Sequence, residues 1–171
     1  MGKFLFQLAR LNIMGTLVGF AFAYVPFFVP IKKTMQNKNT VSFKHPSPVY
    51  PDHILIIPRK IVRTVFCLSS KDIAEVMAMA VKIRKGDSRD FVLMINGGNR
   101  QDVMQAHFHL FTGNLVAKKG LSNKVDVDFL LSDMYIDLKL RDILRQQGIS
   151  KKSFSMIIQF AEGAHPSMYF M

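Results

Sequence analysis

The stretch from Gln105 to Phe111 constrains the fold most, because polar and apolar residues alternate along it. Alternation with a period of two is typical of a β-strand whose two faces differ. One face carries Gln105, His107 and His109, and the other carries Met104, Ala106, Phe108 and Leu110. Same-face neighbours on a strand are separated by roughly 6.5 Å, so two imidazoles could contact one oxygen-rich ligand. The pattern therefore predicts a half-buried strand that presents two histidines to a phosphate or a metal.

Two further apolar runs predict strands beside this one. Residues 91–95 are apolar, and the following residues 96–101 include two glycines and two asparagines, which favour a tight turn. The histidines are then expected on the second arm of a β-hairpin. Residues 54–57 are apolar on both faces and end at Pro58, which is typical of a central strand.

Helical signals follow the apolar run 54–57. Ser69 or Ser70 can cap a helix that runs to about Lys85 and ends before Gly86. Its predicted inner face consists of Ile73, Val76, Met77, Ala80 and Val81. This helix would cover the apolar side of the histidine strand and leave the histidine side open to ligand.

The flanking segments complete an α+β interpretation. Residues 32–39 are polar and basic and resemble a linker, and residues 40–44 alternate as an edge strand would. Residues 130–147 predict a helix that begins near Ser132 and ends at Gly148. Residues 154–160 and 167–170 predict two strands, which either extend the same sheet or form a dimer surface.

The composition limits the partners and the chemistry. Lys and Arg total 23 against 12 Asp and Glu, a formal net charge of +11, which favours anionic partners such as nucleotides, nucleic acid or lipid. The basic residues are dispersed, without the aromatic and basic signature of specific nucleic-acid recognition. Cys67, the one cysteine, allows neither an internal disulfide nor a thiolate zinc site, and its apolar neighbours predict a core position.

The amino-terminal residues differ from the rest of the chain. No charged residue occurs from 11 to 31, which approaches the ~20 residues that a membrane-spanning helix needs. Three interpretations are open: a membrane anchor or re-entrant helix, a cleaved signal peptide, or a core helix that covers the sheet or a partner subunit. Lysines after the segment predict a cytoplasmic carboxy-terminal domain if it spans. We expect residues 1–38 to form this hydrophobic segment with its linker and residues 39–171 to form one domain.

These motifs together resemble the histidine triad (HIT) family, whose signature is His-x-His-x-His followed by two apolar residues. His107 and His109 match the second and third histidines, and Gln105 stands in the place of the first. Asn96 before the glycine-rich turn, Gln101, and the run from His53 through Pro58 to Lys60 also match. The resemblance covers about residues 39–113. It implies a HIT-like antiparallel sheet covered by helices.

The resemblance also implies a function. In the family the middle histidine attacks the α-phosphorus of a nucleotide derivative, and water resolves the covalent nucleotidyl-histidine. Carried over, His107 is the nucleophile, with a backbone carbonyl holding its other nitrogen. His109 would donate to a phosphate oxygen, and Gln101 would bind another oxygen. Asn96 and His53 would line the nucleotide side.

Gln105 departs from the family signature and weakens the expectation of catalysis, because an amide can preserve the geometry of the site but cannot transfer a proton as an imidazole does. The family implies no cofactor, and its members commonly form homodimers.

Two other function classes are open. A His-x-His metal site would need further ligands, for which His53, His45, His165 and Asp102 are the candidates. A catalytically weak or inactive protein would bind nucleotides without turning them over. A non-catalytic, membrane-associated interaction protein would use the basic surface and the apolar amino terminus instead. Nucleotide binding and metal titration separate these classes.

Overall fold

A computed structural model describes residues 33–101, 103, 105–132 and 136–171. These residues form one antiparallel sheet and four α-helices. The strands are β1 (Lys33–Gln36), β2 (Thr40–Lys44), β3 (Ile54–Pro58), β4 (Phe91–Gly98), β5 (Phe108–Thr112), β6 (Lys124–Val125), β7 (Ser153–Phe160) and β8 (Ser167–Phe170). The helices are α1 (Ser70–Ile83), α2 (Leu115–Lys119), α3 (Val127–Leu131) and α4 (Asp137–Gln146), and a 3-10 turn spans Val65–Cys67.

The strand order is β1-β2-β3-β5-β4-β7-β8-β6, and each described neighbour pair is antiparallel. The β4–β5 hairpin confirms the prediction from residues 91–109, although a longer connection than a tight turn joins its arms. Met94 lies opposite His109 and Ile95 opposite Phe108. Residues directly opposite each other point to the same side of a sheet. We call the side that carries His107 and His109 the histidine face.

The opposite side of the sheet holds the main hydrophobic core. Ile56, Leu93, Phe108 and Leu110 pack there in one cluster with residues of α1, α3 and α4. Helix α1 begins as predicted, with Ser69 and Asp72 forming a capping box. Its buried residues include Ile73, Val76 and Ala80. Val81, predicted to face inward, is instead 51% exposed, because it lies on the far side of the helix from the sheet.

A second, smaller cluster lies on the histidine face, next to the histidines. Val92, Met94, Phe111 and Ile157 pack there with Leu115, the first residue of α2. This cluster closes one end of the histidine face. The histidines adjoin this cluster, with the His53 ring centroid 6.0 Å from that of Phe111, and lie beside the loop that precedes β3.

Several sequence predictions need correction. Part of the predicted linker is strand β1, in which Lys33, Met35 and Gln36 gain backbone partners by pairing with β2. The predicted edge strand, β2, therefore lies inside the sheet between β1 and β3. The single helix predicted over residues 130–147 is divided into α3 and α4, because Asp126 caps an earlier helix through its side chain. Cys67 is exposed, since it ends a 3-10 turn at the surface.

The two carboxy-terminal strands extend the same sheet, as one of the two predicted alternatives has it. β7 pairs with β4 along eight residues, from Phe91↔Phe160 to Gly98↔Ser153. The hydrophobic helix predicted in residues 11–31 lies outside the described residues. Within the part of the chain that the structure describes, no helix has both the length and the apolar character needed to cross a bilayer.

Candidate active site on the histidine face

His107 lies directly before β5, in the connection from β4, and is buried. Its Nδ1 is 2.8 Å from the backbone oxygen of Gln105. A carbonyl oxygen can only accept, so the Nδ1 atom carries the proton and donates it. In the neutral ring the Nε2 atom then holds the lone pair. This is the tautomer that nucleophilic attack through Nε2 requires.

His109, two residues further, is hydrogen-bonded to His53, which lies directly before β3. The distance from His53 Nε2 to His109 Nδ1 is 3.0 Å, and the His107 and His109 ring centroids are 5.0 Å apart. The backbone N–H of Val49 donates to His53 Nδ1 at 3.4 Å, so His53 carries its proton on Nε2 and donates it to His109. The proton of His109 is therefore on Nε2, which is buried and has no hydrogen-bond partner among the described residues.

His53 and His109 form a cluster in which both imidazoles are neutral near pH 7. Burial, reinforced by charge repulsion from the neighbouring imidazoles, lowers the pKa of His53 to about 4 and the pKa of His109 to about 2. Burial also lowers the pKa of His45. The cluster therefore offers N–H donors rather than fixed positive charges.

His45 belongs to this cluster, although the sequence suggested it only as a metal ligand. Its ring stacks on His53 with centroids 4.1 Å apart and an interplanar angle of 9°, and it is 5.9 Å from the His109 ring. The pairing of β2 with β3 would have predicted that His45 lies beside His53. Lys44 lies opposite Ile54 in the β2–β3 pair, and the next residues along each strand, His45 and His53, are joined by a backbone hydrogen bond of 2.9 Å.

Asn96 lies on β4 and extends the histidine face toward β7. It follows Met94, which is opposite His109, by two residues, and it is opposite Ser155 of β7. The Oδ1 atom of Asn96 is 2.7 Å from Ser155 Oγ. The structure thus places Asn96, His107, His109 and His53 on one side of the sheet, as the sequence analysis expects. Ser155 was missed, because nothing local in the sequence pairs residues 59 positions apart.

Gln101 and Gln105, which were expected to contribute to the phosphate site, bind backbone groups instead. The Gln105 side chain is buried and bound to backbone: Oε1 accepts from Val62 N at 3.3 Å, and Nε2 donates to Lys60 O at 3.0 Å. The Gln101 amide donates to the carbonyl oxygens of Arg63 and Val103. Both amides therefore hold the loops around the site, and the Gln101 NH₂ group is already committed to the backbone.

His45, His53 and His109 also form a candidate metal-binding group. One ring nitrogen from each of His45, His53 and His109 lies within 4.8 Å of the others, a group that does not include His107. In a metal site the second ring nitrogen of each ligand normally donates an N–H to an acceptor. Here the Nδ1 atoms of His45 and His53 instead accept N–H groups, from Ser47 and Val49. Their protons then occupy the Nε2 atoms, the His53 proton being donated to His109, and a protonated ring nitrogen cannot bind a cation.

The other two proposed metal ligands do not join this group. His165 lines a separate cavity of about 410 Å³ with residues such as Met77 and Leu131. Asp102 lies outside the described residues.

Comparison with known proteins identifies the class. The family model of the HIT domain matches residues 29–115, and the chain belongs to this family. The match begins upstream of residue 39, where the sequence analysis set the start of the domain. It ends at Leu115, so α3, α4 and strands β6 to β8 lie outside it.

Individual relatives agree with the family. The chain is 31% identical over 105 residues to the purine nucleoside phosphoramidase of Escherichia coli, which covers 54% of this chain and 88% of that protein. It is 26% identical over 98 residues to an uncharacterized HIT-like protein of Buchnera aphidicola, with 53% and 88% covered. Yeast Ap4A phosphorylase Apa2, solved in complex with Ap4A, is similar in fold alone: the TM-score is 0.51 at 12% identity, with 80% of this chain and 57% of that chain covered.

Proposed function

We propose that this protein is a nucleotide hydrolase or nucleotidyltransferase that acts at the α-phosphate of a nucleotide derivative through a covalent nucleotidyl-histidine. The hydrogen bond from His107 Nδ1 to Gln105 O carries the proposal, because it leaves the lone pair of Nε2 available for attack. The Nε2 donor of His109 lies beside His107 and has no hydrogen-bond partner among the described residues, so it is available to a bound ligand, which also supports the proposal.

The reaction has two steps. His107 Nε2 attacks the α-phosphorus, a P–N bond to the imidazole forms, and the bond to the leaving group breaks with its electron pair going to the leaving group, which water protonates. His109 Nε2–H donates to a non-bridging oxygen as negative charge accumulates there. Water then attacks phosphorus, breaks the P–N bond, and releases a nucleoside monophosphate while His107 regains its lone pair.

The site and the relatives support one substrate class. A purine nucleoside phosphoramidate, whose leaving group is an amine, is the first candidate, because the bacterial relative is named for that activity. Asn96 and His53 would line the nucleotide side. The net charge of +11 favours the approach of such an anion.

Adenosine 5′-phosphoramidate tests the proposal directly. We expect the wild-type protein to release AMP and to form an acid-labile adenylyl adduct that maps to His107. His107→Ala should abolish both, whereas His165→Ala, a histidine remote from the site, should leave both unchanged. Wild-type turnover in folded His107→Ala would exclude this mechanism.

Rival functions predict different results. We propose that Gln105 takes the place of the first histidine of the triad without removing activity. AMP binding without turnover in the wild-type protein would instead favour a catalytically inactive nucleotide-binding protein. Stoichiometric uptake of Co²⁺, with a spectrum lost in His45→Ala, would favour the metal site. Membrane association of residues 1–38 stays a prediction, which flotation of the full chain with lipid vesicles would test.

A further inference from the structure

We propose that Ser155 and Arg100 are positioning residues that orient the Asn96 side chain, so that its Nδ2 amino group faces the bound phosphate. This inference rests on the proposed function, because it takes Asn96 as a group that contacts the nucleotide. It assigns a role at the site to strand β7, which lies outside the residues matched by the family model.

The directions of three hydrogen bonds carry the argument. A guanidinium group can only donate, and Arg100 Nη1 is 3.3 Å from Ser155 Oγ, so the serine hydroxyl accepts there. Its own proton is then available for Asn96 Oδ1, 2.7 Å away. With its oxygen committed as an acceptor, Asn96 presents its NH₂ group to its remaining surroundings. The reversed amide would leave the Ser155 proton without this acceptor.

The serine that sets this orientation is itself held firmly. The backbone of Ser155 exchanges two hydrogen bonds with Met171, of 2.7 Å and 3.0 Å, and Ser155 is 2% exposed. Arg100 Nη1 also donates to Met171 O at 3.0 Å. The hydroxyl therefore has a fixed place relative to β4, and little freedom to follow a moving asparagine.

Close packing between β4 and β7 also restricts the positions of Asn96 and Ser155. Gly97 follows Asn96, and a Cβ atom there would lie 2.3 Å from the Phe154 ring. Gly98 has a φ of +61°, and a Cβ atom there would lie 2.2 Å from Lys152 O. Only glycine permits this spacing at the two positions. The two strands thus leave no room for a Cβ atom beside Asn96, near the point where Ser155 meets it.

The oriented amide lies where a ligand at His107 would need a donor. Because β4 and β5 are antiparallel with Met94 opposite His109, continuing the register places Asn96 across from His107. Nδ2 of Asn96 and Nε2 of His109 would then approach one phosphate from two sides. Two fixed donors stabilise negative charge there without reorganisation during the reaction.

Ser155→Ala tests the positioning role. We expect kcat/KM for adenosine 5′-phosphoramidate to fall about tenfold, the size of one lost hydrogen bond of ~1.4 kcal/mol. The loss should appear mainly in kcat if the amide contacts the transition state, and Ser155→Thr should restore most of it. Ser153→Ala, two residues earlier on the same strand, is the matched control and should leave kcat/KM unchanged.

A double-mutant cycle separates positioning from a general structural effect. In an Asn96→Ala background, Ser155→Ala should cost less than twofold, because the residue through which it acts is gone. An equal loss in both backgrounds, or no loss in the single variant, would overturn the inference.

AMP affinity, measured by titration in the same variants, gives a readout that does not need turnover. If the wild-type protein binds AMP without turnover, the proposed chemistry fails, and a weaker AMP affinity in Ser155→Ala that disappears without Asn96 would still support the positioning role. A wild-type protein that neither turns over the substrate nor binds AMP would overturn both.

Discussion

Two short series of hydrogen bonds lead to the histidine face from opposite sides. One passes from His53 to His109, and the other passes from Arg100 through Ser155 to Asn96. In both, a group that accepts on one side donates on the other, so the last member offers an N–H donor. Neither series depends on a protonated histidine, since the pKa values of His53 and His109 are about 4 and about 2.

Gln105 permits a test at the residue scale. Its buried amide accepts from Val62 and donates to Lys60, and a neutral imidazole offers the same pair of functions. We therefore expect Gln105→His to keep or raise kcat/KM. A tenfold or larger loss in a folded variant would show that this position has another role.

Gln105→Leu serves as the comparison, because leucine has neither a donor nor an acceptor. It leaves the buried Val62 N–H and the part-buried Lys60 carbonyl without partners, and a buried unsatisfied group costs about 1–3 kcal/mol. We expect its Tm to fall by at least several degrees in a thermal melt. A Tm equal to that of the wild-type protein would mean that water or a rearranged loop supplies these hydrogen bonds.

Residue-scale prediction from the sequence succeeded where the relevant pattern is local. The alternation around His107 and His109 predicted their shared face, and the run after His53 predicted its strand. The roles of Gln101 and Gln105 were not predictable, because both side chains bind backbone groups from a different loop. A single sequence does not say which amide will find a distant carbonyl.

At the scale of elements, the beginning of α1 couples stability to pH. Burial raises the pKa of Asp72, but hydrogen bonds from Lys60 and Ser69 outweigh it, and the pKa lies below its ordinary value of 3.8. A carboxyl whose pKa is lower in the folded state stabilises the fold above its unfolded pKa. That stabilisation is lost as the pH falls through the folded pKa.

Asp72→Asn should therefore lower the Tm at pH 7 by a few degrees, since a capping interaction contributes about 1 kcal/mol. The difference between variant and wild type should begin to shrink as the pH falls below about 4, the ordinary pKa of an aspartate, and should vanish as the pH passes through the lower pKa of folded Asp72. Thermal melts from pH 7 to pH 2.5 measure this. A constant difference over the whole range would contradict the assignment, and Asp137→Asn, at a partly exposed position in the first turn of α4, is a suitable control.

Elements differ in how far the sequence reveals them. The capping signal and apolar spacing of α1 predicted its beginning correctly, because both act within the helix. Strand β1 has four residues that alternate only between partial burial and exposure, and its structure comes from pairing with β2. The division between α3 and α4 likewise had no strong local signal, since neither proline nor glycine occurs from residue 121 to 147.

At the scale of the whole molecule, the β4–β7 pair joins the residues matched by the family model to those beyond them. Gly97→Ala would push a methyl group into the Phe154 ring, which is fully buried. Overpacking of this kind typically costs about 1–3 kcal/mol. We expect the Tm and kcat/KM to fall together, because the same displacement moves Ser155 away from Asn96.

Phe154→Leu should partly relieve the crowding. In that background Gly97→Ala should cost less than it does in the wild-type protein, although Phe154→Leu alone is destabilising. Chemical denaturation of the four proteins measures this coupling. Strict additivity of the two free-energy changes would mean that the glycine serves some purpose other than close strand approach.

The order of the strands also affects the newly made chain. Asn96 and Ser155 are separated by 59 residues, so β4 emerges from the ribosome well before β7, the strand that pairs with its second edge. Until translation reaches β7, an apolar β4 carries unpaired backbone groups that can recruit neighbouring polypeptides. A polypeptide truncated before residue 153 would keep both histidines of the motif, yet it would expose a lasting template for aggregation.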